Sequence, residues 1–465
     1  NIHEVNVGNG NIDILASNMV VEKMKAQDSD LSDSRDVGNI LLKARNNSYV
    51  RDDGDNSTLI EGKKLTIDAG ADIGGNTNQS TATRSLDTNV DEVVINAKGV
   101  VNVAEVNNLK VSSIQTTGDV TVQSLTGDLN IGKIVTNTNI NQPTTVTLFA
   151  KEGAVINDLA KDANQVTVEP NIVANRLAAK AKNGVGTSSN NMNVRIDRVE
   201  AETEKGGIYL TDQTGNLEVA DVKSGLDLDT LNGLNVANTG DISLTVEQGS
   251  LEQTNQVSTL AGNIAFAVKN NVNIGQQLKT SLGSVQVKAE TGSITTEADA
   301  PISAQGQDAI NGNISLTAAT GIRQNANVVS QGYGDIGYKS ATGDIVQNAN
   351  TSTTQGNIDY TADAGSINMT ELRSTSTGQG KVTYTAGTDI NSQIVKSNAG
   401  NIALTANRDV VIGNETTTGL GQVAITATTG SITTEADAPI SAQGQDAVNG
   451  NISLTAATGI RQNAN

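Results

Sequence analysis

The sequence predicts an all-β chain, a right-handed single-stranded parallel β-helix (solenoid) with coils of about 20–24 residues. Three observations carry that expectation. The first is a repeated phrase: Gly312-Asn-Ile-Ser-Leu-Thr-Ala-Ala-Thr-Gly-Ile-Arg-Gln-Asn-Ala-Asn327 returns letter for letter as Gly450 to Asn465. The match extends backward, so that Thr291–Asn327 equals Thr429–Asn465 except where Ile310 becomes Val448, an offset of 138 residues. The second is a period. Gly334, Gly356, Gly380, Gly400 and Gly421 open looser copies of the phrase, and from Gly312 on these glycines lie 22, 22, 24, 20 and 21 residues apart. The third is alternation within each unit. Ile314, Leu316 and Ala318 alternate with Ser315 and Thr317, which is the period of a strand with one apolar face. Thr320-Gly321 breaks that strand, Ile322 starts a second, and Val328 to Ser330 makes a third. One such unit cannot bury its apolar face alone; it must stack on its neighbours.

Composition agrees with this reading. Aromatic residues are 2% of the 465 and Trp is absent, too few for a large globular core, whereas a narrow coil interior fills with Ile, Leu, Val and Ala. Strict β periodicity and 36% hydrophobic content argue against disorder, despite a net charge of -19.

Taken in order, Gly10-Asn-Ile-Asp-Ile and Gly38-Asn-Ile-Leu-Leu already carry the opening phrase. Glu22 to Asp36, Arg51 to Ser57 and Gly74 to Asp87 are charged or polar and poor in alternation, and read as solvated insertions. Strands return with Glu92-Val-Val-Ile, Gly118-Asp-Val-Thr-Val, Thr144-Thr-Val-Thr-Leu-Phe-Ala (just after Pro143) and Gly153-Ala-Val-Ile. Asn175 to Asn183 scores as helix by propensity, yet Leu177, Ala179 and Ala181 keep period 2, so strand is expected. Gly207, Gly240, Gly262 and Gly283 resume the regular run without a linker. The expected organisation is therefore residues 1–206 as β-helix with longer loops and irregular coils, continuous with regular repeats over 207–465. Leu316 should face inward, stacked with Phe266, Tyr338 and Tyr360, while Thr317 faces out. The Asn after each opening glycine (Asn11, Asn39, Asn263, Asn313, Asn357, Asn401, Asn451) should stack as an amide ladder, with the glycine supplying a corner of positive φ. Asp119, Asp241 and Asp335 replace Asn in some coils, and Asp335 falls between Asn313 and Asn357, so like charges do not meet there.

The same residues bound the function. No cysteine means no disulfide framework, thiolate metal site or thiol catalysis, and suits a chain exported unfolded. The acidic balance, pI ≈ 4.5, disfavours nucleic acid and anionic membranes as partners. No apolar run reaches membrane-spanning length and no signal peptide opens the chain, which begins at Asn1 and reads as a mature or excised piece. His3 is the only histidine and is expected at the surface. Glu297-Ala-Asp-Ala-Pro301 and Gln305-Gly-Gln-Asp308, with their copies at Glu435–Pro439 and Gln443–Asp446, place carboxylates that Ca²⁺ would need, but they match no ligand loop and read as polar corners. The Asn-X-Ser/Thr sequons at Asn56, Asn313, Asn368 and Asn414 follow from composition. No acid–base pair stands out, so an enzyme is not expected, and no catalytic, cofactor or metal residue is assigned.

Gly-Asn-Ile-x-Leu-Thr-Ala, repeated with a period near 20 and no Cys, resembles the repeat region of filamentous-haemagglutinin-like proteins, the exported partners of bacterial two-partner secretion. The likeness is clearest from Gly207 onward. It implies a β-helical shaft at the surface of a Gram-negative bacterium, exported through an outer-membrane secretion pore. It further implies a role in adhesion, in biofilm formation or in carrying a toxin. The Asn-Pro-Asn-Gly and Asn-Pro-x-Gly motifs of that family's secretion domain do not occur, so this chain would be a slice of shaft meeting a host or bacterial surface receptor, with self-association along its length as a further possibility. A segment or subunit of an extracellular filament is the alternative within the structural class. A β-helical polysaccharide-degrading enzyme is the alternative outside it.

Overall fold

The computed structural model describes residues 1–465 apart from 9, 27–36, 53–58, 75–84, 160–168, 224–225, 227–230, 307–311, 445–449 and 464–465. Among the described residues there is no helix, and the named strands pair in parallel with strands one coil on. The fold is a parallel β-solenoid. It divides into two compact units, Asn1–Ala237 and Asn238–Asn465.

The second unit is the regular one. Each coil carries three short strands, as in Ile314–Ala318, Ile322–Gln324 and Val328–Gln331. The coil above repeats them as Ile336–Ser340, Ile345–Gln347 and Thr351–Thr353. Registers lock like to like. Ile242, Ile264, Val285, Ile314, Ile336 and Ile358 form one column, all β-branched, the shape that packs best on a pleated surface. Two residues on, Phe266, Val287, Leu316, Tyr338, Tyr360 and Tyr384 form the central column. Leu316 is fully buried there and Thr317 lies on the outer face, as the alternation predicts. Tyr338 and Tyr360 stack with ring centroids 4.3 Å apart, and Tyr360 and Tyr384 are tilted at 4.7 Å.

Three tyrosines inside an apolar coil need partners for their hydroxyls. Thr351 Oγ1 lies 3.0 Å from the Tyr338 hydroxyl and accepts that of Tyr360 at 2.7 Å. Thr375 accepts from Tyr384 at 2.6 Å. Thr351 in turn donates to Gln324 Oε1, and Thr375 to Gln347 Oε1, each at 3.1 Å. The two glutamine amides donate to main-chain carbonyls of the coil above, Asn350 and Ser374. In these coils the interior is apolar on most of the first strand, and its polar groups pair where the second and third strands meet.

The first unit has stacked columns of its own, with longer excursions. Ile12, Ile40, Leu65, Val93, Val111 and Ile131 stack in register. Leu59–Ala69 and Leu86–Asn96 are strands of 11 residues, and a bulge falls between Val111 and Ser113. Three expectations are corrected here. Glu22 to Asp36 is not insertion throughout: Lys23–Lys25 is a strand with Met24 fully buried and both lysines facing out. Similarly Val50–Asp52 is a strand, and Leu86 and Asp87 begin one. A charged average hid a three-residue alternation in the first two cases and the start of a long strand in the third. Residues 27–36, 53–57 and 75–84 of those three stretches lie outside the described residues. Arg176–Ala181 is strand, with Leu177, Ala179 and Ala181 buried. Ala178, on the other face of that strand, is also buried, packed against Val222 and Leu231.

Candidate functional site

The corners are where polar side chains concentrate, and their geometry differs from the expected amide ladder. Asn313 Oδ1 accepts the backbone N–H of Asp335 at 2.8 Å, Asp335 Oδ1 accepts that of Asn357 at 2.6 Å, and Asn357 Oδ1 that of Lys381 at 3.0 Å. Asn11 serves Asn39, Asp241 serves Asn263, and Asn263 serves Ser284 in the same way. The side-chain oxygen of one coil thus satisfies a main-chain donor of the coil above, at the corner where the strand ladder is interrupted. Only the oxygen is needed, which is why Asp substitutes for Asn. A second corner repeats the device: Asp344 accepts from Ser366 at 2.7 Å and Asp409 from Ser431 at 2.8 Å.

The opening glycines are also explained differently. Among them Gly207, Gly240, Gly312 and Gly450 have positive φ, but Gly262, Gly283, Gly334, Gly356, Gly380, Gly400 and Gly421 do not. Their constraint is space. A Cβ at Gly356 would stand 2.0 Å from the Gly334 carbonyl oxygen, and one at Gly380 would stand 1.8 Å from that of Gly356. The carbonyls stacked there are met from inside the coil by hydroxyls. Ser330 donates to Gly312, Thr353 to Gly334 and Thr377 to Gly356, at 2.7, 2.9 and 2.7 Å.

Sequence reasoning missed buried carboxylates in the first unit, among them Glu105, Glu200 and Asp212. Glu105 is fully buried, with its Oε2 accepting from Thr88 Oγ1 at 2.8 Å and from Val90 N–H at 3.0 Å. Its Oε1 accepts from Asn107 N–H at 3.2 Å. Burial pushes its pKa up to about 7, against the pull of these donors. Glu200 accepts from Val222 N–H at 2.9 Å and Asp212 from Ile196 N–H at 3.2 Å. Two of the three were visible in the alternation: Val101, Val103 and Glu105 share one face, as do Ile208, Leu210 and Asp212. Each carboxylate accepts a main-chain N–H.

The outer faces carry cross-coil ion pairs. Lys64 meets Glu92 and Lys180 meets Glu202, both at 2.9 Å, and Arg198 meets Glu218 at 2.5 Å. At exposed positions such pairs contribute about 0–1 kcal/mol each. In the second unit a shallow groove of about 220 Å³ opens over Ala267, bordered by Thr245, Glu247, Lys269, Lys288 and Glu290. Lys269 and Glu290 pair at 3.3 Å across it.

His3 is at the surface, its Nδ1 2.6 Å from Glu22 Oε2. Glu297 and Asp299 are exposed, on a turn closed by Ala300 N–H donating to the Glu297 carbonyl at 3.1 Å. Asp308, Asp446 and Asn56 lie outside the described residues. Asn368 accepts from the Asn391 side chain at 2.6 Å, and Asn414 from Glu415 N–H at 2.8 Å. Among the described residues no three His, Cys, Asp or Glu side chains converge as a metal site would require. No protein-family model, curated protein or solved structure matches the chain.

Proposed function

We propose that this chain is a structural shaft segment of a large secreted bacterial surface adhesin, holding binding or toxin regions away from the cell. The observation that carries the proposal is the direction in which the corner side chains bond. Asn313, Asp335 and Asn357 each give their oxygen to the coil above. Side chains that hold coil to coil serve length and stiffness. The likeness of the repeat phrase to filamentous-haemagglutinin-like shafts, and a cysteine-free composition suited to export through a pore, support the same reading.

The test is a matched deletion. Residues 292–429 hold the coils opened by Gly312, Gly334, Gly356, Gly380, Gly400 and Gly421, and removing them joins Thr291 to a copy of what followed it. Nearest-neighbour stability predicts that the shortened chain stays folded and that the second unit loses about 29 Å of stack. Displayed on cells, it should support adhesion molecule for molecule as the parent does. Adhesion lost with the fold intact would place binding in the deleted coils and end the shaft reading. So would release of reducing or unsaturated sugars from a surface glycan by the purified parent.

A further inference from the structure

The turn that follows Ile367–Met369 departs from its neighbour. Five residues separate Met369 from Thr375, where three separate their register partners Gln347 and Thr351. The added length is closed by Arg373 N–H donating to the Thr370 carbonyl at 3.2 Å. At the tip of this turn Leu372 is 74% exposed. Its φ is 63°, in the left-handed region that Gly and Asn tolerate and a leucine rarely adopts. Leu372 is therefore held against both its backbone preference and its aversion to water, and it serves neither the turn nor the core. Glu371 and Arg373 are exposed on either side of it and form no ion pair among the described residues.

The shallow groove over Ala267 has the opposite relief. Ala267 is exposed on the outer face of its strand, between Thr245 and Lys288 of the adjoining coils. Its methyl group forms the floor, and the groove, about 220 Å³, has room for one aliphatic side chain. Glu247 and Lys288 on the rim are exposed and form no ion pair among the described residues. An apolar floor between an acid and a base is complementary to a leucine between an acid and a base.

We infer that Leu372 of one copy of this chain seats over Ala267 of a second copy, with Arg373 meeting Glu247 and Glu371 meeting Lys288. A copy cannot fill its own groove. The register runs from Phe266 through Val287, Leu316 and Tyr338 to Tyr360, so the coil of Leu372 lies four coils from that of Ala267. Four coils amount to about 19 Å. Each copy thus offers a knob at one place and a groove at another, a heterologous contact that propagates from copy to copy. One leucine and two charge pairs make a small interface, with a Kd on the order of 0.1 mM.

The test is sedimentation of the full chain from well below to well above that concentration. The average mass of the parent should rise, and rise less at high salt. Leu372→Asp, which spoils the knob, and Ala267→Arg, which fills the groove, should each weaken association more than about tenfold. An equimolar mixture of the two should pair again and stop at the dimer, because one brings an intact groove and the other an intact knob. Leu372→Gly, which suits the observed φ, should melt no lower than the parent and still lose association, separating docking from folding. A parent that stays monomeric throughout, a Leu372→Gly chain that associates as the parent does, or a mixture that fails to pair would overturn the proposal.

Discussion

Asp335 Oδ1 receives the backbone N–H of Asn357 at 2.6 Å from the coil above, the bond that Asn357 in turn offers to Lys381 at 3.0 Å. Amide and carboxylate are interchangeable here because each presents the oxygen that accepts this N–H.

That equivalence predicts a pattern of substitution. Asn401 accepts from Gln422 N–H at 2.9 Å, and Lys381 occupies the same position one coil below. Asn401→Asp should change stability by less than about 0.5 kcal/mol, whereas Asn401→Leu removes the acceptor and should cost about 1 kcal/mol or more. Asn313→Asp would stack its charge against Asp335 and should destabilise in low salt, recovering as salt is raised. Urea midpoints at two ionic strengths decide the matter; equal costs for Asp and Leu at position 401 would refute the oxygen-only account.

The glycines divide by what surrounds them. Gly337 faces outward with nothing within 4 Å of a built Cβ, and its φ is not positive. Gly337→Ala should stabilise by about 0.5 kcal/mol through the unfolded chain. Gly356→Ala, whose methyl would meet the Gly334 carbonyl, should cost about 3 kcal/mol. If both substitutions proved mild, the close approach of stacked carbonyls would not be what requires glycine.

Inward and outward positions differ more sharply still. Leu316→Asp would bury a lone charge between Val287 and Tyr338 and should cost several kcal/mol, on the order of 4. Thr317→Asp would sit between Lys288 and Lys339 on the outer face, where opposite charges attract, and should be neutral within about 0.5 kcal/mol. Thermal melts of the two variants should therefore separate clearly, and similar melts would mean the register is one residue off.

Glu105 makes the first unit sensitive to pH. Its folded pKa, about 7, lies above that of an ordinary glutamate, so the folded state favours the protonated form. The stability this adds is full below about pH 4.5 and is lost as pH rises through 7. The whole effect amounts to roughly 3 kcal/mol. Glu105→Gln, which stays neutral, should flatten that part of the pH dependence. Urea midpoints of the first-unit transition at pH 5 and pH 8 measure it. A Gln variant with the parent's slope would show that the three donors from Thr88, Val90 and Asn107 already offset burial.

Much of the fold was legible because the repeat exposes its own register. Ile314, Leu316 and Ala318 declared their face by period alone, and even Arg176–Ala181 kept period 2 against its helical propensity. What was not legible depends on the coil above or below. The Asn313 side chain reads the same whether it bonds an amide or a main-chain N–H, and only the stacked geometry selects the second. Gly356 reads as a turn residue until the carbonyl beneath it is placed. Ala178 reads as surface because nothing local announces that Val222 and Leu231 cover it. Glu105 was legible by period but was passed over, since a carboxylate on an inward face contradicts the expectation that charge faces water.

The near-identity of Thr291–Asn327 and Thr429–Asn465 also reaches the gene. Where their codons also match, two such stretches invite unequal recombination, and an exchange between them adds or removes 138 residues in frame. Every joint so created already exists in the parent, so length variants arise without passing through an unfolded ancestor. We therefore expect isolates of the source population to carry this gene in sizes that differ by whole blocks. Long-read sequencing across the repeat would reveal that ladder of alleles, and sizes differing by arbitrary numbers of codons would refute it.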